Sequence, residues 1–269
     1  MSFRAEIILD SISPAGKRLT TMELTYPRFI HAEFMTHRMF SRNAASSRAI
    51  PTRKMIKMVE DNPATPIYWG KNKRGMAATE EIDDPESAKS IWLDARTCAV
   101  EYAKFLYKEG VHKQIVNRLL EPWKYMTVIC TATEWSNFFA LRRHKDAQPE
   151  IHRLADMMFE AQEKSIPTTR QWHLPYVMEN DLPKNASLNW EMWRKISVAR
   201  CARVSYLTHD GKRDIEKDLT LFDRLMTGSG HGHWSPFEHV AKAIRDKRTR
   251  SGNFIGWMQY RKLFKGECQ

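Results

Sequence analysis

The chain has 269 residues, 42% of them apolar and 28% charged, an ordinary soluble balance with enough length for one large domain or two small ones. No stretch approaches the ~18–20 apolar residues of a membrane span, and the opening MSFRAEIILDSIS lacks the basic-then-apolar pattern of a secretory signal. The formal net charge of +11 points to polyanions or small phosphorylated ligands, and because the lysines are dispersed while the arginines sit inside polar motifs, the small ligand is favoured over nucleic acid.

In chain order, AEIILDS and LTTMELTY predict two strands joined by a turn at Pro14–Gly16. A polar motif, THRMFSRNAASSR, occupies residues 36–48. A long surface loop of lid-like length is expected at about 52–85, its second part from residue 61 rich in proline, glycine and charge. Asp84 and Pro85 read as the cap and first-turn proline of a helix that ends at Gly110, with Ile91, Ala95, Cys98, Tyr102 and Leu106 as its apolar face. KYMTVICTA predicts a strand, and 133–142 a helix with Phe138 and Leu141 inward. PEIHRLADMMFEAQE predicts a further helix, capped by Asp146 and packing through Ile151, Leu154, Met158 and Ala161. Residues of about 164–195 read as an extended connector within a single domain of 1–269. FIHAEFMTHR at 29–38 and FIGWMQYRKL at 254–263 form a weak repeat, read as two amphipathic helices whose likeness could equally be chance.

Chemistry concentrates in three places. The 36–48 motif packs His37, Arg38, Ser41, Arg42, Asn43, Ser46, Ser47 and Arg48 together, and guanidinium forks with hydroxyls suit a phosphate through several charge-assisted hydrogen bonds. EWSNFFALRRHKDAQPEIHRLA at 134–155 brings Asn137 and Arg142 onto one helix, although spacing alone also fits an ordinary charged helix pair. RCARVSY at 200–206 and GHGHWSPFEH at 230–239 crowd His231, His233 and His239 around Ser235 and Glu238. No metal is expected there, because no cysteine is near and Glu238 is the one carboxylate in that motif. Cys98, Cys130, Cys201 and Cys268 are scattered, which fits free thiols in a reducing cytoplasm and offers no nucleophile setting.

These motifs together resemble the flavin-dependent thymidylate synthases, the thymidylate synthase complementing protein family, whose signature is RHRxxSxNExSxR. His37, Arg38, Ser41, Asn43, Ser46 and Arg48 match it, while Thr36 and Ala44 stand where the family has Arg and Glu. Asn137, Arg142 and AQPE at 147–150 resemble the family's Asn–Arg–AQxE helix, Arg118 of HKQIVNRLLEP its basic helix, and residues 202–205 and 232–239 its ARVS and GHxxPFEH blocks. The family places ARVS and PFEH first. Here they come last, so the blocks look circularly permuted, and the 29–38 and 254–263 repeat is what the overlap of a tandem duplication would leave.

The resemblance implies an α+β fold, an antiparallel-rich sheet packed with helices, and a cytoplasmic homotetramer with shared active sites. It implies methylation of dUMP to dTMP with FAD, and with NADPH and methylenetetrahydrofolate as co-substrates. Glu33, Ser46, Arg48, Arg118 and Arg142 would bind the pyrimidine deoxynucleotide monophosphate, and the catalytic residues would be Arg142, at the ring, and His233, near the flavin face where substrates exchange. His37, Arg38, Ser41, Asn43, Asn137, Ser205, Ser235 and Glu238 would contact FAD. Superposing the two Phe-Ile pairs puts Arg261 opposite Thr36, so Arg261 is expected to supply the charge lost there. A sister enzyme acting on another pyrimidine nucleotide such as dCMP, and a basic nucleic-acid-binding protein that kept the fold, are the alternatives.

Overall fold

The computed structural model describes residues 2–177, 189–206, 214–227, 232–265 and 267, with Ser205 and Tyr206 described through their backbone only. Strands β1 (Arg4–Ile12) and β2 (Arg18–Pro27) form an antiparallel hairpin whose turn uses Gly16 at a φ of +82°, a conformation costly for residues with a Cβ. Helix α1 (His31–Met35), strand β3 (Ser41–Ala44), helix α2 (Thr52–Asp61), helix α3 (Pro85–Lys108) and helix α4 (Lys113–Val116) follow. Next come β4 (Tyr125–Ala132), α5 (Ser136–Arg142), α6 (Pro149–Lys164), β5 (Thr168–Thr169) and β6 (Trp172–His173). The later elements are α7 (Trp190–Tyr206), α8 (Ile215–Thr227), β7 (Ala241–Ala243), β8 (Arg250–Ser251), β9 (Phe254–Ile255) and β10 (Trp257–Gln259). The main sheet runs β3-β4-β2-β1-β5, antiparallel except for the short parallel β1–β5 pair, and a second antiparallel sheet runs β10-β7-β6. This is the expected mixture of an antiparallel-rich sheet and packed helices.

Strand β2 is central and its two faces differ because side chains alternate along it. Met22, Leu24 and Tyr26 join Met126, Val128 and Cys130 of β4 in an apolar core closed by Phe34, Phe138, Ile151, Leu154 and Met158. The opposite face carries Thr21, Glu23 and Thr25, all buried. Buried hydroxyls and carboxylates need partners, because an unpaired one forfeits its hydration. Later segments supply them. Ser11 Oγ meets His173 Nδ1 at 2.8 Å, His173 Nε2 meets Thr21 Oγ1 at 2.7 Å, Thr21 meets Thr131 at 2.7 Å, and Thr131 Oγ1 meets His239 Nδ1 at 2.8 Å. Tyr176 donates its hydroxyl to Glu23 at 2.6 Å. Burial pushes both His173 and His239 down to about 3, so the chain of hydrogen bonds is built from neutral imidazoles.

Helices α7 and α8 pack through Trp193, Ile196, Phe222 and Leu225, with Phe237 of the PFEH turn between them. Asp218, fully buried on α8, accepts from Arg200 Nε at 2.9 Å and from Arg203 Nε and Nη2 at 2.9 and 2.6 Å, fixing the helix pair. Thus two arginines of the RCARVSY block are structural cations.

Six expectations are corrected. The loop placed at about 52–85 begins with helix α2, whose Met55, Ile56 and Val59 are buried. On α3 the buried residues are Val100 and Ala103, whereas Ile91 and Tyr102 are 66% and 65% exposed; α2 covers the small-residue side. Helix α6 is capped by Gln148, whose side chain accepts from the backbone N–H groups of Glu150 and Ile151 at 3.1 Å, and not by Asp146. Leu141 is exposed. Residues 254–263 are two short strands and a 3-10 turn because Gly256, at a φ of +71°, breaks the run and β10 pairs with β7. The connector at about 164–195 also contains β5, β6 and the start of α7; residues 178–188 lie outside the described part.

Candidate active site

The 36–48 motif leaves α1 and turns into edge strand β3, while α5 leads away from the end of β4, the strand beside it. The two meet at a cavity of about 530 Å³ lined by Thr36, His37, Arg38, Asn137, Phe138 and Arg142 among others. That volume lies within the range typical of small-ligand sites. Arg142 Nε donates to His37 Nε2 at 2.9 Å, and Arg142 Nη2 to Thr36 Oγ1 at 3.3 Å. Thr36 in turn donates to the carbonyl of Glu33 at 2.7 Å. His37 therefore accepts on Nε2 and carries its proton on Nδ1. Burial, then the charges of Arg142 and Arg42, hold its pKa down to about 4. The ring sits edge-on to Phe138, centroids 4.8 Å apart. Glu33 has a buried carboxylate oxygen, Oε2, without a hydrogen bond, and burial raises its pKa against the pull of Arg142.

A second polar cluster surrounds Glu121. It accepts from Ser47 Oγ at 2.6 Å and from Arg118 Nη1 at 3.3 Å, with Arg28 at 3.6 Å. Asn117 Nδ2 donates to the Ser47 and Ile50 carbonyls at 2.8 and 2.9 Å, so Ser46 and Arg48 lie beside the segment that carries Arg118. Both arginines are exposed, and the Ser46 hydroxyl accepts from the Arg48 backbone N–H at 3.3 Å.

The remaining expected residues are placed as follows. Ser41 is buried, and its hydroxyl accepts from Gln259 Nε2 at 2.9 Å. Asn43 donates to the Cys201 carbonyl at 2.9 Å and its Oδ1 accepts from Ser235 at 3.3 Å. Two late blocks of the chain thus contact the early motif. His233 is exposed, and the side chain of Ser205 lies outside the described residues, as does His231. Arg261 is ion-paired with Glu238, and with Glu267 at 2.6 Å, and within the chain it is not among the residues lining the cavity of Thr36. Beside Arg38 and Arg142, a third arginine lines that cavity, Arg250, which the sequence reading missed. AQPE lies at a larger cleft of about 1010 Å³ between α6 and the loop at 66–78, where Glu150 Oε1 accepts from the Ile67 N–H at 2.7 Å and pins the loop. Among the described residues no group of three potential ligands could hold a metal, and no helix is long and apolar enough to cross a membrane.

The family model of thymidylate synthase complementing protein matches residues 13–168, more than half of the chain and including the whole cavity-forming pair of motifs. The chain belongs to that family. Two solved structures of the UMP/dUMP methylase PolB from Streptomyces cacaoi are similar. The one bound with 5-Br dUMP is 22% identical, over 55% of this chain and 67% of that one, with a TM-score of 0.47. The one bound with 5-Br UMP is 19% identical, over 61% and 90%, also at 0.47. No curated protein matches the sequence significantly. The thymidylate synthase complementing protein match ends before α7, so the ARVSY and PFEH blocks lie beyond it, and Asn43 bonds to Cys201 and Ser235 in those segments.

Proposed function

We propose that this protein is a cytoplasmic, flavin-dependent thymidylate synthase that methylates dUMP to dTMP, with methylenetetrahydrofolate as one-carbon donor and NADPH as reductant. The observation that carries the reading is the Arg142–His37–Thr36 contact, which joins the family's two motifs at one cavity. Its donor set fits an anionic aromatic ligand: Phe40 and Phe138 give apolar surface, while Arg38, Asn137 and Arg142 give donors. His37, Arg38 and Asn137 would hold FAD there, with Asn43, Ser235 and Glu238 behind them; Ser41 would act by bracing the motif. When bound, reduced flavin would supply the hydride that completes the methyl group.

The chain's own residues would bind and orient. Arg48 and Arg118 hold the nucleotide phosphate, with Ser46 beside them. Arg142 offers only donors, so at the pyrimidine it favours the 4-carbonyl of uracil over the 4-amino group of cytosine. Glu33, near Arg142, faces the same substrate. The phosphate arginines and the Arg142 cavity are separate clusters on one chain. This supports a homotetramer whose subunits share sites. The test is FAD uptake followed by a tritium-release assay with dUMP and dCMP. Turnover of dUMP is expected; faster turnover of dCMP would move the assignment to a sister enzyme, and protein that takes up no FAD would end it.

A further inference from the structure

We propose that Arg250 binds a phosphoryl group in the 530 Å³ cavity and supplies the positive charge that Thr36 does not. The proposal rests on the reading of that cavity as a cofactor and nucleotide site. Its lining contains three guanidinium groups, those of Arg38, Arg142 and Arg250, against one carboxylate, Glu134, which Lys17 already ion-pairs. His37 is neutral and adds no charge. Three cations converging on one concave surface repel one another, and an entering anion relieves that repulsion while gaining several charge-assisted bonds. With Phe40, Phe138 and Met39 also lining the cavity, the ligand it suits is a phosphorylated aromatic molecule.

Arg250 is delivered there by a braced hairpin. It pairs with Ile255 across β8 and β9, and the Ile255 N–H donates to Thr133 Oγ1 at 3.2 Å, just ahead of α5. The Gly256 N–H donates to the Thr249 carbonyl at 2.8 Å. The turn places Gly252 at a φ of +57°, where a Cβ would collide with the Gln259 side chain; Gln259 donates on to Ser41 of the motif. The hairpin is therefore tied to both motifs that form the cavity, and its backbone sets the exposed Arg250 at the cavity's rim. The family's arginine is missing at position 36 of the early motif; this late segment brings one back in space.

The phosphoryl group could belong to the dinucleotide cofactor or to the nucleotide monophosphate, and separate titrations distinguish them. FAD, dUMP and inorganic pyrophosphate are titrated against the full-length protein, Arg250→Gln, Arg248→Gln as an exposed neighbour, and Arg250→Gln combined with Thr36→Arg. Arg250→Gln is expected to weaken FAD or dUMP by roughly tenfold to a hundredfold, the scale of one charge-assisted bond, and to weaken pyrophosphate likewise. A loss confined to FAD assigns the cofactor's diphosphate; a loss confined to dUMP assigns the nucleotide. Arg248→Gln is expected to bind as the parent does, and Thr36→Arg to restore most of the lost affinity. If Arg250→Gln binds all three probes as tightly as Arg248→Gln, the proposal is overturned. If Thr36→Arg restores nothing, Arg250 does not replace the missing arginine. A parent protein that binds neither FAD nor dUMP refutes the enzymatic reading instead, and the pyrophosphate comparison still decides whether Arg250 holds a phosphoryl group.

Discussion

Acidification should destabilise this protein through two buried histidines, His173 and His239. His173 and His239 are wholly buried, hydrogen-bonded to hydroxyls, and held down to about 3 by burial. In the unfolded chain each returns to about 6.5. The native state thus binds fewer protons, and the stability both contribute is present above pH 6.5 and lost as pH falls towards 3. Around pH 5 each unfolded imidazole is charged and each native one neutral, a difference of two protons, or about 3 kcal/mol of stability per pH unit. Integrated from neutrality to pH 5, the loss is about 4 kcal/mol, a large share of the ~5–15 kcal/mol of an ordinary domain. Urea unfolding across this range reads it. Paired carboxylates also weaken in acid, so the decisive quantity is a difference of slopes. His173→Gln should be less stable at neutrality but flatter against pH, by about 1.4 kcal/mol per unit. If parent and variant lose stability in parallel between pH 6.5 and 5, the native imidazole is protonated and the buried chain from Ser11 to His239 is wrong.

Other consequences follow from single contacts. Arg142→Ala should lower dUMP turnover by about tenfold to a hundredfold in steady-state kinetics, since it removes donors at the ring and frees His37. Arg48→Ala should weaken dUMP binding by roughly tenfold to a hundredfold in calorimetry while changing FAD affinity much less; unchanged dUMP binding would mean the phosphate lies elsewhere. Asp218→Asn should destabilise the fold by about 3–5 kcal/mol in thermal unfolding, because Arg200 and Arg203 lose their shared carboxylate in a buried setting.

Local chemistry was legible in the sequence where local chemistry decides. The hairpin turn at Gly16, the cap at Asp84 and the alternation in β2 and β4 follow from neighbours in the chain, and so did the family, whose motifs are short. The misreadings share a non-local cause. Helix α3 carries apolar residues around more than one face, and periodicity cannot say that α2 covers Val100 and Ala103 and leaves Ile91 and Tyr102 outside. FIGWMQYRKL has helical spacing, but pairing with β7 overrides it. Arg250 sits in an unremarked basic run, RDKRTRS, and only the hairpin carries it to the cavity. One usable signal lies in the threonines: Thr21 and Thr25 on β2, and Thr127 and Thr131 on β4, recur four residues apart and so share one face of the sheet. A buried hydroxyl stripe requires polar partners, and the histidines at 173 and 239 were available to meet it.

The most direct test of the whole account is a methylation assay on the purified protein. FAD-loaded protein, dUMP, methylenetetrahydrofolate and NADPH are combined without oxygen, and the nucleotide is followed by mass spectrometry. The account predicts a gain of one methyl group on the pyrimidine that requires the flavin and is reduced in Arg142→Ala. A dUMP pool left unmodified by protein that has demonstrably taken up FAD, or methylation that proceeds equally well without flavin, would contradict it.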